Sequence, residues 1–479
     1  MSTPASARLK SDVIGLLGAA TLGMVFLSPA MTLYGLFGPI FLACGKLAPL
    51  SFVLALIATL PTAFSYAVLS RDHPSSGSVA DWAAQATGPR LGAWAGWLVF
   101  LYYFTNFIIQ VVAVGLFFNE LLIALGIILP VGAGFCAGVA LGCAWPAWMV
   151  YRGLAMSARG ALAFLLIEIA TVAVLCATIV WRAPSRGTPV TLDGFSLAAA
   201  RQNTPGMFQA LVFAMLGFCG FDVVSTLAEE TRTARKLIPQ ATILALLLYA
   251  VLIVGGMWAL TLGGDAAALK ASAEAGRMPI NKVAQAVWGR GAITVTFTAL
   301  TATLALIIAT SVGASRVLFA KGRRHAAPAI FAKLHPRYQV PWLALHFIFA
   351  LGLLGAFAVF ACIGAYNAYV WWATTSTFFA MLTFLFGNLA AILLNKHRLK
   401  SASGLLLFGL VPALGIAFDL YILVQFFFIE LWAQPWATGK SVVVFDVACA
   451  LLAMAVVLRG KNGRPQPGDQ VPVPLSELP

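Results

Sequence analysis

The chain has 479 residues, 61% of them hydrophobic and only 10% charged, with a formal net charge of +14. Soluble domains hold about 45–50% apolar and about 25% charged residues, and a single water-soluble core stops growing near 250–300 residues. A soluble enzyme, a nucleic-acid-binding module and a disordered scaffold are therefore excluded, and a mean hydropathy of +0.92 defines an integral membrane protein.

A helix needs about 20 mostly apolar residues to cross the hydrocarbon core. In chain order such runs fall near 13–40, 47–69, 91–118, 121–149, 158–181, 206–228, 238–262, 287–315, 341–361, 365–392, 404–427 and 441–459. The sequence thus predicts an all-α protein with twelve transmembrane helices. The runs are continuous rather than alternating, which excludes a porin-like barrel. Arg8 and Lys10 precede a long apolar run with no short cleavable core, so the first span is read as retained rather than as a signal peptide. The loops near 182–205 and 263–286 are long enough for short surface helices. Residues 1–12 are read as a cytoplasmic N-terminus and 460–479, proline-rich and without an apolar run, as a disordered cytoplasmic tail.

With the N-terminus inside, 21 of the 30 Lys and Arg residues fall in inner loops and nine in outer ones. This follows the positive-inside rule and places both termini in the cytoplasm. The positive charge is then an orientation label in a plasma membrane, read as a bacterial inner membrane, and not a nucleic-acid surface. The seven cysteines lie in apolar surroundings without a CxxC or a His/Cys cluster, and read as buried hydrophobes rather than disulfides or metal ligands. No cofactor is expected.

Mid-membrane solute sites are often built at interrupted helices, whose free N–H and C=O groups become ligands. Two spans carry the residues for a break. In the first, Ser28-Pro29-Ala30-Met31-Thr32 follows Leu22–Leu27; Pro29 removes a helical hydrogen bond and clashes near Val25. In the sixth, Leu216-Gly217-Phe218-Cys219-Gly220-Phe221-Asp222 places two glycines among aromatics ahead of an intramembrane acid. A simple proline kink in the first span, and a small-residue helix contact in the sixth, stay open as alternatives.

The block from Phe218 to Glu230, Phe-x-Gly-Phe-Asp followed by Ala-Glu-Glu, resembles the sixth-span signature of the amino acid–polyamine–organocation transporters. The loop Arg71–Ser78 with Gly92 to Gly96-Trp97 resembles the family's loop between its second and third spans, Ile238-Pro239-Gln240-Ala241 the start of its seventh span, and Ala314–Arg323 followed by Leu334–Tyr338 and Pro341 its eighth-to-ninth-span loop. The pattern is most similar to putrescine-importer-like and bacterial amino acid permease branches, over about 12–400 in order. The resemblance implies a leucine-transporter-type fold: inverted five-span repeats over 13–181 and 206–392, broken spans one and six, and two further spans over 404–459. It implies a permease, not an enzyme, importing an amino acid or polyamine by alternating access.

Three places depart from the family pattern. Ser28-Pro29-Ala30 stands where many members have Gly-small-Gly, with a Thr-Pro arrangement in putrescine-importer-like members. Leu216 stands where arginine/agmatine exchangers carry a gating Trp. Arg323-Arg324 replaces the usual Arg-Asp.

On this fold a substrate carboxylate would meet the break at Ser28, Pro29, Ala30, Met31 and Thr32. Its amine would meet carbonyls at Leu216, Phe218, Cys219 and Gly220 near Asp222, with Tyr103 and Asn106 from the third span alongside. A diamine would need a carboxylate partner, Asp222 or Glu168. Glu168 stands in mid-span where some proton-coupled relatives carry a Lys in place of a sodium ion, and a carboxylate there can carry the coupling proton. The alternative is a sodium site shared with Thr310 and Ser311. Phe218 and Phe221 are candidate thin gates, and Glu229 and Glu230 a candidate inner gate. Exchange, sodium symport and, on a more distant reading, a non-transporting sensor remain as alternatives; the oligomeric state is left open between monomer and homodimer.

Overall fold

The computed structural model describes residues 16–75, 77–130, 132–153, 158–227, 233–323 and 327–459. Glu229, Glu230 and Arg324, together with the terminal stretches 1–12 and 460–479, lie outside these residues. Among the described residues the chain is helical, with no strand. It begins with α1 (Leu16–Leu27), α2 (Pro29–Cys44), α3 (Ala48–Asp72), a short α4 (Val79–Thr87), α5 (Pro89–Ala124), α6 (Ala133–Tyr151) and α7 (Ala158–Arg182). A surface loop carrying α8 (Leu197–Gln202) leads to α9 (Thr204–Phe218), a 3-10 segment Phe221–Leu227 and α10 (Ala234–Leu262). The second loop carries α11 (Ala266–Glu274) and α12 (Ile280–Trp288), followed by α13 (Ile293–Arg323), α14 (Trp342–Ile363) and α15 (Ala365–Leu394). The last part joins α16 (Ala402–Gly404), α17 (Val411–Ile422) and α18 (Leu431–Ala433) through π-helical turns, and ends with α19 (Ser441–Arg459).

Eleven helical stretches are long and apolar enough to cross a membrane, against the twelve runs read from the sequence. The difference lies in Gly18–Asp72, a stretch of 55 residues that holds α1, α2 and α3. A second correction concerns 121–149. Leu121–Ala124 close α5, Gly126 and Gly132 adopt positive φ on either side of Pro130, and α6 starts only at Ala133. The apolar letters Leu125-Gly126-Ile127-Ile128-Leu129 belong to a loop between the two helices. Both surface loops carry the short helices expected of them.

The helices sort into an inner and an outer set. In Thr204–Ser225, which holds α9, 83% of the most apolar window is buried inside the protein; in Leu162–Arg182, in α7, only 28% is. α9 is therefore enclosed by protein, while one face of α7 is left for lipid. α5 runs through the centre, packed on α13 and α15, with α2 against α9 and α10 against α3. Gly364, at φ 81, makes the reversal between α14 and α15, a backbone region that non-glycine residues enter at a cost.

Candidate functional site

Two helices are interrupted at adjoining points. After α1, Ser28 takes a left-handed conformation (φ 39, ψ 88) and Pro29 opens α2, a position where its missing N–H costs nothing. After α9, Cys219 is extended (φ −64, ψ 128) and Gly220 has φ +124. A Cβ on Gly220 would sit 3.2 Å from the Phe26 carbonyl oxygen and 3.3 Å from its carbon. Gly220 thus lets one interruption touch the other.

An unsatisfied backbone group in hydrocarbon costs several kcal/mol, roughly, so the partners at each interruption matter. The Ser28 N–H donates to Met24 and the Thr32 N–H to Ser28, at 2.9 and 3.0 Å. Ser28 Oγ accepts the Met31 N–H at 3.4 Å, and Thr32 Oγ1 donates to the Leu27 carbonyl at 3.2 Å. At the second interruption, the Cys219 N–H donates to Leu216 and the Gly220 N–H to Asp222 Oδ1, at 3.0 and 3.1 Å. The Tyr249 hydroxyl of α10 bonds the Gly217 carbonyl and lies 2.7 Å from Thr32 Oγ1, tying α9 to α2.

Glu168 of α7 is buried at the first interruption. Ser28 Oγ donates to Glu168 Oε2 at 3.2 Å, and the Ala30 N–H also reaches this carboxylate. A carboxylate at a helix N-terminus is favoured by the free N–H groups and the helix dipole. The start of α2 is therefore filled: Ala30 by Glu168, Met31 by Ser28 Oγ and Thr32 by the Ser28 carbonyl. Thr310 and Ser311, buried on α13, donate to Leu306 and Ile308 of their own helix at 2.6 and 3.0 Å, and no hydrogen bond joins them to Glu168.

Asp222 is buried at the second interruption. It accepts the Gly220 N–H and the hydroxyls of Tyr102 and Tyr103, at 3.5 and 3.3 Å, so its carboxylate braces the unwound chain against α5. Phe218 packs edge-on against Phe52 and Tyr249, and Phe221 against Tyr66 and Phe384. Both rings sit in the core in this conformation.

A cavity of about 50 Å3 lies between the interruptions. Its lining is Phe26, Leu27, Met31, Thr32 and Leu36 on one side and Leu216, Gly217 and Cys219 on another. Asn106, Ile109 and Gln110 of α5, with Leu306 and Tyr369, complete it. Ligand pockets usually measure about 300–1,000 Å3, so a substrate enters only if the surrounding helices open. Of the residues singled out in the sequence, Met31, Thr32, Leu216, Cys219 and Asn106 line this cavity. Ser28, Pro29, Ala30, Tyr103, Phe218, Gly220 and Asp222 stand around it without lining it, and no charged side chain is in the lining.

Gln110 is a residue the sequence reading missed. Its Nε2 donates to Asn106 Oδ1 at 3.5 Å, and its buried Oε1 has no partner. It is one turn on from Asn106, a polar position inside Ile108–Val112, and that i, i+4 spacing was the available signal. Beyond α2, Glu120 at the end of α5 holds Arg277, between α11 and α12, with two bonds of 2.9 and 2.7 Å. These hydrogen bonds raise the Arg277 guanidinium above the ordinary arginine value. Pro279, two residues on, approaches Gly38 of α2, so the pair fastens the α11–α12 loop across the end of α2.

Buried helix interruptions facing one another across a small polar–apolar cavity are the architecture of a helical membrane transporter. The same fold is found in a solved variant of the Eremococcus coleocola manganese transporter, with a TM-score of 0.63 and 10% identity over 96% of this chain and 98% of that one. The amino acid permease model matches residues 16–462, and the chain belongs to this family. It is 26% identical over 397 residues to the Escherichia coli low-affinity putrescine importer PlaP, spanning 81% of this chain and 82% of the relative. It is 29% identical over 323 residues to the Bacillus subtilis branched-chain amino acid permease BcaP, spanning 64% and 66%. The chain is accordingly a permease and not an enzyme.

Proposed function

We propose that this permease imports an amino acid with an apolar side chain, coupled to a proton, by alternating access around the interruptions of its first and sixth spans. The observation that carries the substrate class is the cavity lining: apolar residues and neutral amides, with no carboxylate. A diamine carries two positive charges, and burying each without an anionic partner costs several kcal/mol, roughly. An apolar side chain fits against Phe26, Leu36, Ile109 and Leu306, while Asn106 and the open Gln110 Oε1 take the ammonium. A polyamine is the second reading; buried Asp222, beside the cavity, and the name of the relative PlaP favour it.

Coupling follows from the filled start of α2. A substrate carboxylate needs the backbone N–H groups that Glu168 and Ser28 now hold. A proton on Glu168 removes its charge, loosens its hold on Ala30, and frees that end for the substrate. Sodium held by Thr310, Ser311 and Glu168, or substrate exchange, are the competing mechanisms. Counting Gly18–Asp72 as two crossings gives twelve spans, which fits two inverted five-span repeats, two added spans and both termini in the cytoplasm of a plasma membrane.

Uptake of labelled leucine, isoleucine, valine and putrescine into proteoliposomes tests the substrate class. The branched amino acids are expected to enter and to compete with one another, with putrescine at least about tenfold weaker, the factor for ~1.4 kcal/mol. Putrescine uptake without amino acid uptake would overturn the reading.

A further inference from the structure

The sequence reading weighed two internal acids, yet α17 and α19 bury two more. Asp419 is 1% exposed and Asp446 0%. The surroundings of Asp419 are the better defined. Asn388 of α15 donates its Nδ2 to Thr62 Oγ1 of α3 at 2.8 Å and to Asp419 Oδ2 at 3.3 Å. Gly415, one turn before Asp419, admits this amide: a Cβ there would lie 2.6 Å from Asn388 Nδ2. Three polar atoms are then left without partners: Asp419 Oδ1, Asn388 Oδ1 and Tyr66 Oη. Tyr66 Oη lies against Gly387, next to Asn388.

An ionised carboxylate only accepts hydrogen bonds. With Asp419 ionised, its Oδ1 and Asn388 Oδ1 are two buried acceptors on hydrogen-bonded groups, and neither has a donor. Among the described residues no lysine, arginine or histidine acts on Asp419. The groups that face it are Asn388 on α15, Tyr66 on α3, and Cys219 at the second interruption. One proton on Asp419 Oδ1 donates to Asn388 Oδ1 and closes an acid–amide pair, two hydrogen bonds running in opposite directions. A metal cation fits less well, because Asn388 Nδ2 points its hydrogens at Asp419 Oδ2 and Thr62, leaving three free oxygens for a sphere that needs more.

We propose that Asp419 and Asn388 form a proton-binding site, separate from the cavity and from Glu168, in which Asp419 carries the proton at neutral pH. The site is not isolated from the interruption. Tyr66 packs against Phe221 and stands near both Asp222 and Asp419, so its ring lies between this site and the second interruption.

Infrared difference spectroscopy of the purified full-length protein tests this without any transport assay. Asp419→Asn is expected to remove a protonated-carboxyl C=O band at neutral pH, equally in sodium and in choline buffers. Loss of ionised-carboxylate bands instead, or a band that appears only when sodium is withdrawn, would overturn the proposal and assign the site to a metal cation. Asn388→Leu keeps the acid and removes its partner. In that variant the same band should persist and move to higher frequency as the carboxyl loses its hydrogen bond; an unmoved band would overturn the pairing.

Discussion

Glu168→Gln is expected to yield a protein that binds substrate and moves it down its gradient but no longer uses a pH gradient. Glutamine keeps the size of the side chain and a carbonyl oxygen for the Ser28 hydroxyl and the Ala30 N–H, the two groups that hold Glu168. It cannot take up a proton. With one coupled proton, each pH unit of gradient supports about tenfold accumulation, since one unit is about 1.36 kcal/mol. In the variant this factor should fall to about one, and the uptake rate should be flat with pH. Measuring accumulation in proteoliposomes at several imposed gradients checks both points. A variant with an unchanged pH slope would show that Glu168 only braces α2. Glu168→Ala adds a separate cost, because Ser28 and Ala30 lose a buried partner, typically about 1–3 kcal/mol.

Gly220→Ala is expected to be nearly as severe by a different route. The backbone there has φ +124, where a side chain costs about 1–3 kcal/mol. The added carbon also meets Phe26 main chain at 3.2–3.3 Å, and main chain has little room to yield. The two interruptions would have to part, and with them Leu27 and Gly217, which line the cavity from either side. A loss of that size corresponds to about fivefold to about 150-fold in an equilibrium or rate. The thermal midpoint should drop and uptake should fall by at least that lower factor. Gly217→Ala, three residues earlier in the same chain, is a contrasting case. Its Cβ would meet Thr32 and Phe52 side chains rather than main chain, so the helix is expected to form and the loss to be smaller.

The sequence carried the class of fold openly, because a chain this apolar has nowhere to fold except a membrane. Pro29 and the pair Gly217 and Gly220 stood out because they act on the backbone itself, and the backbone takes positive φ at Ser28 and Gly220. The family was legible from the sixth-span block and the loops around it. The orientation of each helix about its own axis was not legible. Lipid and protein core are equally apolar, so the composition of α5 does not say which of its faces meets the cavity, and Ile109 and Gln110 were passed over. Phe218 was the opposite error of emphasis: next to the break in sequence, its ring turns into the core between Phe52 and Tyr249. Leu121–Leu129 misled for a related reason, because apolar letters at a membrane boundary serve a loop as readily as a helix, and only Gly126, Pro130 and Gly132 mark the difference. Asp419 and Asp446 satisfied the same criterion that picked out Asp222, an acid inside an apolar run, and were missed because no interruption lies beside them.

A proton entering at Glu168 is expected to admit an apolar amino acid to the cavity between the two interruptions. Uptake of labelled leucine into proteoliposomes, with the pH gradient and the sodium gradient imposed separately, tests it most directly. Accumulation is expected to be driven by an acid exterior, unchanged when sodium is replaced by choline, and abolished by a protonophore. Accumulation that follows the sodium gradient and ignores pH would contradict it.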